Sequence, residues 1–175
     1  MKEYDFILKF DLPDREVDPE KFVDALYEAG CDDATVGIGQ NGRLALNFIR
    51  EAASAFVAVS SAIADVKKAI PGAKLIEATP DLVGLTDIAD IVGCSRQNIR
   101  KIVVSHKSAF PSPIHEGSTA LWHLSKVLQW FRAKGSYVIE DSLIEVSGAN
   151  MQVNIASQMR DIDPKLQRNL QAILT

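Results

Sequence analysis

The side chains best placed to do chemistry lie between positions 95 and 107: Ser95, Arg96, Gln97, Asn98, Arg100, Lys101 and Lys107. Arg matches the two acceptors that guanine shows in the major groove, and Gln or Asn matches the donor and acceptor of adenine. Lysines suit phosphate oxygens, which fix position on a duplex without reading its sequence. In a helix that begins after Ser95, the apolar residues Ile99, Ile102 and Val103 share one face. Gln97 and Lys101 then fall on the opposite face, with Asn98 and Arg100 flanking it and Arg96 in the first turn. The chemistry implied is recognition of base edges and phosphates.

Positioning such a face takes a second helix and a sharp turn. The stretch from Leu85 to Val103, LTDIADIVGCSRQNIRKIV, has the spacing of a helix-turn-helix. Ala89 is small where the helices must touch, and Gly93 supplies the turn. Ile88, Val92, Ile99 and Ile102 recur at helical spacing, while Thr86 and Ser95 stand where N-caps are expected.

The segment that follows, AFPSPIHEGSTALWHLSKVLQWF, places Phe110-Pro111, Pro113-Ile114, Gly117, Trp122, Val127 and Trp130 directly after the two helices. Pro111 and Pro113 enforce an extended connector. Gly117 permits a tight hairpin tip, and the two tryptophans can roof a small core. Over roughly residues 82–134, about a third of the chain, this arrangement resembles the winged helix-turn-helix DNA-binding proteins of the MerR and AlpA (excisionase) type. The resemblance implies a recognition helix in the major groove and a wing against an adjacent groove or the backbone. It departs from the family at the wing, which carries His115, Glu116, Ser118 and Thr119 where Arg or Lys is usual. His115, Ser118 and Thr119 are therefore the phosphate-contact candidates there.

Charge is distributed unevenly. The 175 residues carry a net charge of −4 with 47% hydrophobic content, an acidic balance unlike that of many nucleic-acid binders. Residues 1–83 hold 9 basic and 15 acidic side chains (−6), residues 84–135 hold 7 and 3 (+4), and residues 136–175 hold 3 and 5 (−2). Positive charge thus concentrates on the helix-turn-helix, and an acidic remainder helps aim that face at DNA. Cys31 and Cys94 have no ligand-like spacing. MKEYDFILKF lacks the apolar core of a signal peptide, so a cytoplasmic, nucleoid-associated protein is expected.

The first eighty residues read as strand, helix, strand, strand, helix, strand. Tyr4, Phe6, Leu8 and Phe10 alternate with polar residues, and Asp18-Pro19 opens a helix that Gly30 ends. Ala34–Ile38 and Leu44–Ile49 flank Asn41-Gly42, a two-residue hairpin signal. Ser54 opens a helix with Phe56, Val59, Ile63, Val66 and Ile70 on one face, and Lys74–Ala78 closes the set. That order predicts an α+β chain: a ferredoxin-like βαββαβ sandwich over 1–80, a winged helix-turn-helix over 82–135, and a C-terminal helical extension over 136–175.

Gly37, Gly39 and Gly42 spell the dinucleotide fingerprint, but the third glycine leads into an alternating strand instead of a helix that could receive a pyrophosphate. No cofactor is expected. Nor is an enzyme: Asp32 and Asp33 point to opposite faces, Ser60 and Ser61 lack a nucleophile motif, and His106, His115 and His123 do not have metal-ligand spacing.

In the last forty residues, Leu143, Val146, Val153 and Ala156 form one stripe; Ile144, Met151, Ile155 and Met159 form another. A helix apolar on two sides needs two partners, either its own core twice or its own core and the same helix of a second subunit. Leu166, Leu170 and Ile173 mark a closing helix after Asp163-Pro164. The expected function is that of a homodimeric, sequence-specific double-stranded DNA-binding regulator. The alternatives are a DNA-bending, excisionase-like factor, or an antitoxin or adaptor whose acidic residues 1–80 hold a protein partner or small effector.

Overall fold

A strand with one large apolar residue at every second position must bury that face, and β1 (Lys2–Asp11) does so through Tyr4, Phe6, Leu8 and Phe10. The structure, a computed structural model, describes residues 1–37 and 40–174 and is α+β throughout. β1 pairs antiparallel with β3 (Arg43–Ala52) in unbroken register from Lys2↔Ala52 to Asp11↔Arg43. Phe6 lies directly opposite Phe48 with their rings stacked at 5.3 Å. β2 (Ala34–Gly37) pairs with the far side of β3, and β4 (Lys74–Thr79) with the far side of β1, giving the order β2-β3-β1-β4. Ile38 and Gly39, which the hairpin and the glycine motif included, lie outside the described residues.

A short 3-10 helix (Pro19–Phe22) leads into α1 (Val23–Ala29), with Asp18 Oδ1 accepting from Glu20 N–H at its start and Gly30 left-handed at its end. This α1 and α2 (Ala55–Ala69) cover one face of the sheet, while Asp5, Asn47 and Ile49 look out from the other.

Two sequence expectations change here. The β2–β3 connection is longer than a two-residue hairpin, since Gly37 pairs with Ala45. Gly42 is left-handed and its amide donates to Val17 O; a Cβ there would stand 2.5 Å from Arg15 Cα. Its role is close approach to the loop before α1. Phe56 does not join the buried face of α2 but is 60% exposed; Ala55, Ala58, Ala62, Val59 and Val66 make that face. The small alanines let α2 lie close to the sheet and to the C-terminal helix, leaving no room for a phenyl ring on that side.

Beyond β4, residues Leu82–Val83 (β5) pair with Trp122–His123 (β6), enclosing α3 (Leu85–Val92) and α4 (Arg96–Ser105). α5 (Leu124–Lys134) follows, ended by left-handed Gly135. Val83, Ile88, Ala89, Ile99, Phe110, Trp122 and four residues of α5 form a second core.

α6 (Asp141–Gln158) joins the two cores: Val146 and Ala149 belong to the first, Ile144 to the second, and Leu143 touches both. Both stripes thus find partners within one chain, although Ile155 and Met159 at the far end stay exposed. The joint is polar as well. Asn154 accepts from Ala78 N–H (2.7 Å) and donates to Ala78 O (2.8 Å) and to Asp81 Oδ2 (2.8 Å). Asp81, fully buried, also meets His123 Nδ1 at 2.7 Å. Asn150, which weakens a helix by propensity, donates to Pro80 O at 3.2 Å. Two asparagines one turn apart therefore pin the connector between the halves. α7 (Pro164–Leu174) closes the chain with Leu166, Leu170 and Ile173 exposed on one stripe.

Candidate nucleic-acid interface

The α3–α4 pair is set by its turn. Gly93 is left-handed (φ 72°), and the amide of Cys94 returns to Ala89 O at 2.9 Å, satisfying carbonyls the helix end leaves open. Ser95 Oγ accepts from Asn98 N–H at 3.2 Å, the N-cap its position predicts. Thr86 is not a cap. α3 begins two residues earlier, where Asp87 Oδ2 accepts from Gly84 N–H at 2.7 Å. The carboxylate reaching back makes the stronger cap, so Thr86 is carried inside the helix.

Ile88, Ala89 and Ile99 are buried between the helices, with Val92, Cys94, Ile102 and Val103 partly buried around them. That seam fixes which side of α4 faces out. Arg96, Gln97, Arg100 and Lys101 are all exposed, as is Lys107 just beyond the helix. Among the described residues none of these cations forms an ion pair; the arginines and lysines that do are Lys2, Lys9, Arg43, Arg50 and Arg132. Asn98 is exposed too, but its Nδ2 donates to Tyr137 Oη at 3.1 Å, which holds it to the flank of the face. Desolvation raises the Tyr137 phenol above its ordinary range, so it remains protonated. Ser95 is committed through its hydroxyl to the cap.

The wing is a short bridge: Ile114 N–H donates to Leu121 O (2.8 Å) and Leu121 N–H to His115 O (3.0 Å). His115, Glu116, Ser118 and Thr119 are exposed around its tip. Gly117 lies in the tip between the bridged His115 and Leu121, with a φ that is not left-handed. A Cβ there would lie 2.6 Å from His115 Nε2, so its absence makes space for the imidazole. The extended connector is anchored by Phe110, edge-on to Trp122, Trp130 and Phe131, and by Trp122 Nε1–H, which donates to Pro111 O at 3.0 Å.

Sequence reasoning passed over Val104. It stands 69% exposed, one turn beyond Arg100 and two beyond Gln97, on the outward face of α4. Its spacing, +4 from Arg100 and +7 from Gln97, was the available signal.

Asp33 is engaged by Arg50 while Asp32 is not, so the adjacent pair is split. Burial, with Asp65 nearby, pushes the Cys31 thiol up to about 11. Among the described residues there is no cluster of three or more His, Cys, Asp or Glu that could hold a metal, and no helix long and apolar enough to cross a membrane. No family model matches the chain, and no curated protein or solved structure matches it either.

Proposed function

We propose that the chain is a sequence-specific double-stranded DNA-binding protein, a dimeric transcriptional regulator that reads the major groove with α4. In this reading the first eighty residues are a ferredoxin-like sandwich, residues 82–135 a winged helix-turn-helix, and the site of action the cytoplasmic nucleoid. The observation that carries it is the outward face of α4. Arg96, Gln97, Arg100 and Lys101 are solvent-facing and, among the described residues, free of acidic partners, on a helix whose other side is locked into a core. A guanidinium with no intramolecular carboxylate keeps its five donors for a ligand. Lys107 at the helix end, and His115, Ser118 and Thr119 on the wing, lie in the same 84–135 segment of net charge +4 and suit phosphate contacts.

Pairing of two copies falls to the C-terminal helices in this proposal, because the Leu166–Leu170–Ile173 stripe of α7 is uncovered, as are Ile155 and Met159 at the far end of α6. A two-fold dimer reads two half-sites one helical turn or a multiple apart, about 34–36 Å for one turn. Selection of duplexes from a random library by the full chain tests this directly. The expected product is an inverted-repeat consensus with that spacing, and failure to enrich any sequence contradicts the proposal.

A further inference from the structure

We propose that Val104 reads the C5-methyl group of a thymine and so determines specificity alongside the polar residues of α4. The inference rests on α4 being the duplex-reading helix. Four of the helix's apolar residues, Ile99, Ile102, Val103 and Val104, sit within six positions, yet only Val104 turns outward. One turn from Arg100 on the exposed face, Val104 offers an apolar contact beside hydrogen-bonding side chains.

Val104 stands on a ridge between two depressions. One, about 350 Å³, is bounded by Gln97, Arg100, Lys101 and Ser105. The other, about 510 Å³, is bounded by Phe110, Pro111 and Trp122 together with the polar Lys107, Ser112 and Glu116. In the major groove adenine offers a donor and an acceptor, and thymine carries the only methyl among the four bases. Gln97 and Val104 are seven residues apart, about 10 Å along the helix axis. At 3.4 Å per base pair that length separates the thymine from the position Gln97 reads by at most about three base pairs.

The test uses the full chain, its Val104→Ala variant, and a duplex selected from a random library. Each thymine is replaced in turn by deoxyuridine, which removes the methyl and leaves pairing intact. Val104 is exposed and Ala is the stronger helix former, so the variant retains the fold. Wild type is expected to bind about four-fold more weakly when one particular thymine per half-site loses its methyl, the transfer energy of one methyl-sized group. Val104→Ala should be indifferent to that replacement and bind the unmodified duplex as weakly as wild type binds the altered one. The inference is overturned if wild type tolerates every replacement, if the variant keeps the sensitivity, or if the selected sequences contain no thymine facing the helix. A chain that enriches no duplex at all defeats the reading of α4 itself, and this inference with it.

Discussion

Arg50 and Arg100 carry the same guanidinium in opposite circumstances. Arg50, 8% exposed, uses all five N–H donors: two on Asp33 (2.6 and 2.9 Å), one on Asp65 (2.8 Å), one on Ser61 Oγ (3.0 Å) and one on Gly30 O (2.6 Å). Those carboxylates, Asp33 first, raise its pKa further above an already high value. Arg100 lies in solvent with no acidic partner among the described residues. The comparison teaches that the count of basic residues says little about a binding face. What matters is which cations the fold has already neutralised, and in this chain the saturated one holds the sheet to α2 while the open ones line α4.

Breaking the saturated site should produce the largest effect. Arg50→Met leaves Asp33 and Asp65 without their cation and is expected to cost about 3 kcal/mol of unfolding free energy. That is the low end for a broken buried pair, because both carboxylates are partly exposed. Urea denaturation measures this, and the folded fraction should bind DNA as wild type does. Asn154→Ala orphans Ala78 N–H and one oxygen of Asp81 at the joint between the cores, with an expected loss of about 2 kcal/mol. Unchanged stability would show that the joint is held by apolar contacts alone.

At the open face the effects should appear in binding and leave folding intact. Arg96→Ala is expected to cost about 1–3 kcal/mol on the preferred duplex and to relax base preference there. Lys101→Ala should weaken all sequences alike and flatten the slope of log K against log[salt] by about one unit. Titrations at several salt concentrations separate the two. The smallest effect is at Glu145, whose carboxyl is held below its ordinary range by hydrogen bonds from Lys2 and Tyr4. A lowered folded-state pKa contributes stability above the unfolded value near 4.5 and loses it as pH falls through the folded value. The stability difference between wild type and Glu145→Gln should therefore be steady above pH 4.5 and shrink below it.

How much of this was readable from the chain depended on the range of the interaction. The strand alternation of Tyr4–Phe10, the turn at Gly93 and the cap at Ser95 are local, and their residue types alone specify them. Thr86 and Gly117 show where local reasoning stops. Asp87, one residue on, reaches back to Gly84 and displaces the expected cap, and at Gly117 the end of the His115 side chain fills the space a Cβ would take. The Arg50 site draws on Gly30, Asp33, Ser61 and Asp65, which no spacing links, and Phe56 lost its place to alanines because α6 packs on the same helix. Asn150 reads as a helix weakener, and Asn154 carries no local signal, because their partners, Ala78, Pro80 and Asp81, are some seventy residues upstream. Val104 was legible in principle from helical spacing, but an apolar residue beside Ile102 and Val103 reads as core until the buried seam fixes the rotation of α4.

The central claim is that the open cations of α4 meet a duplex. Its most direct test is equilibrium binding of the selected duplex by wild type and by an Arg96→Ala/Arg100→Ala/Lys101→Ala variant over a range of salt. Loss of the Lys101 phosphate contact should flatten the salt slope by about one unit, and loss of the Arg96 and Arg100 base contacts should reduce affinity for the selected duplex further. Equal affinity and equal slope for the two proteins would contradict the account.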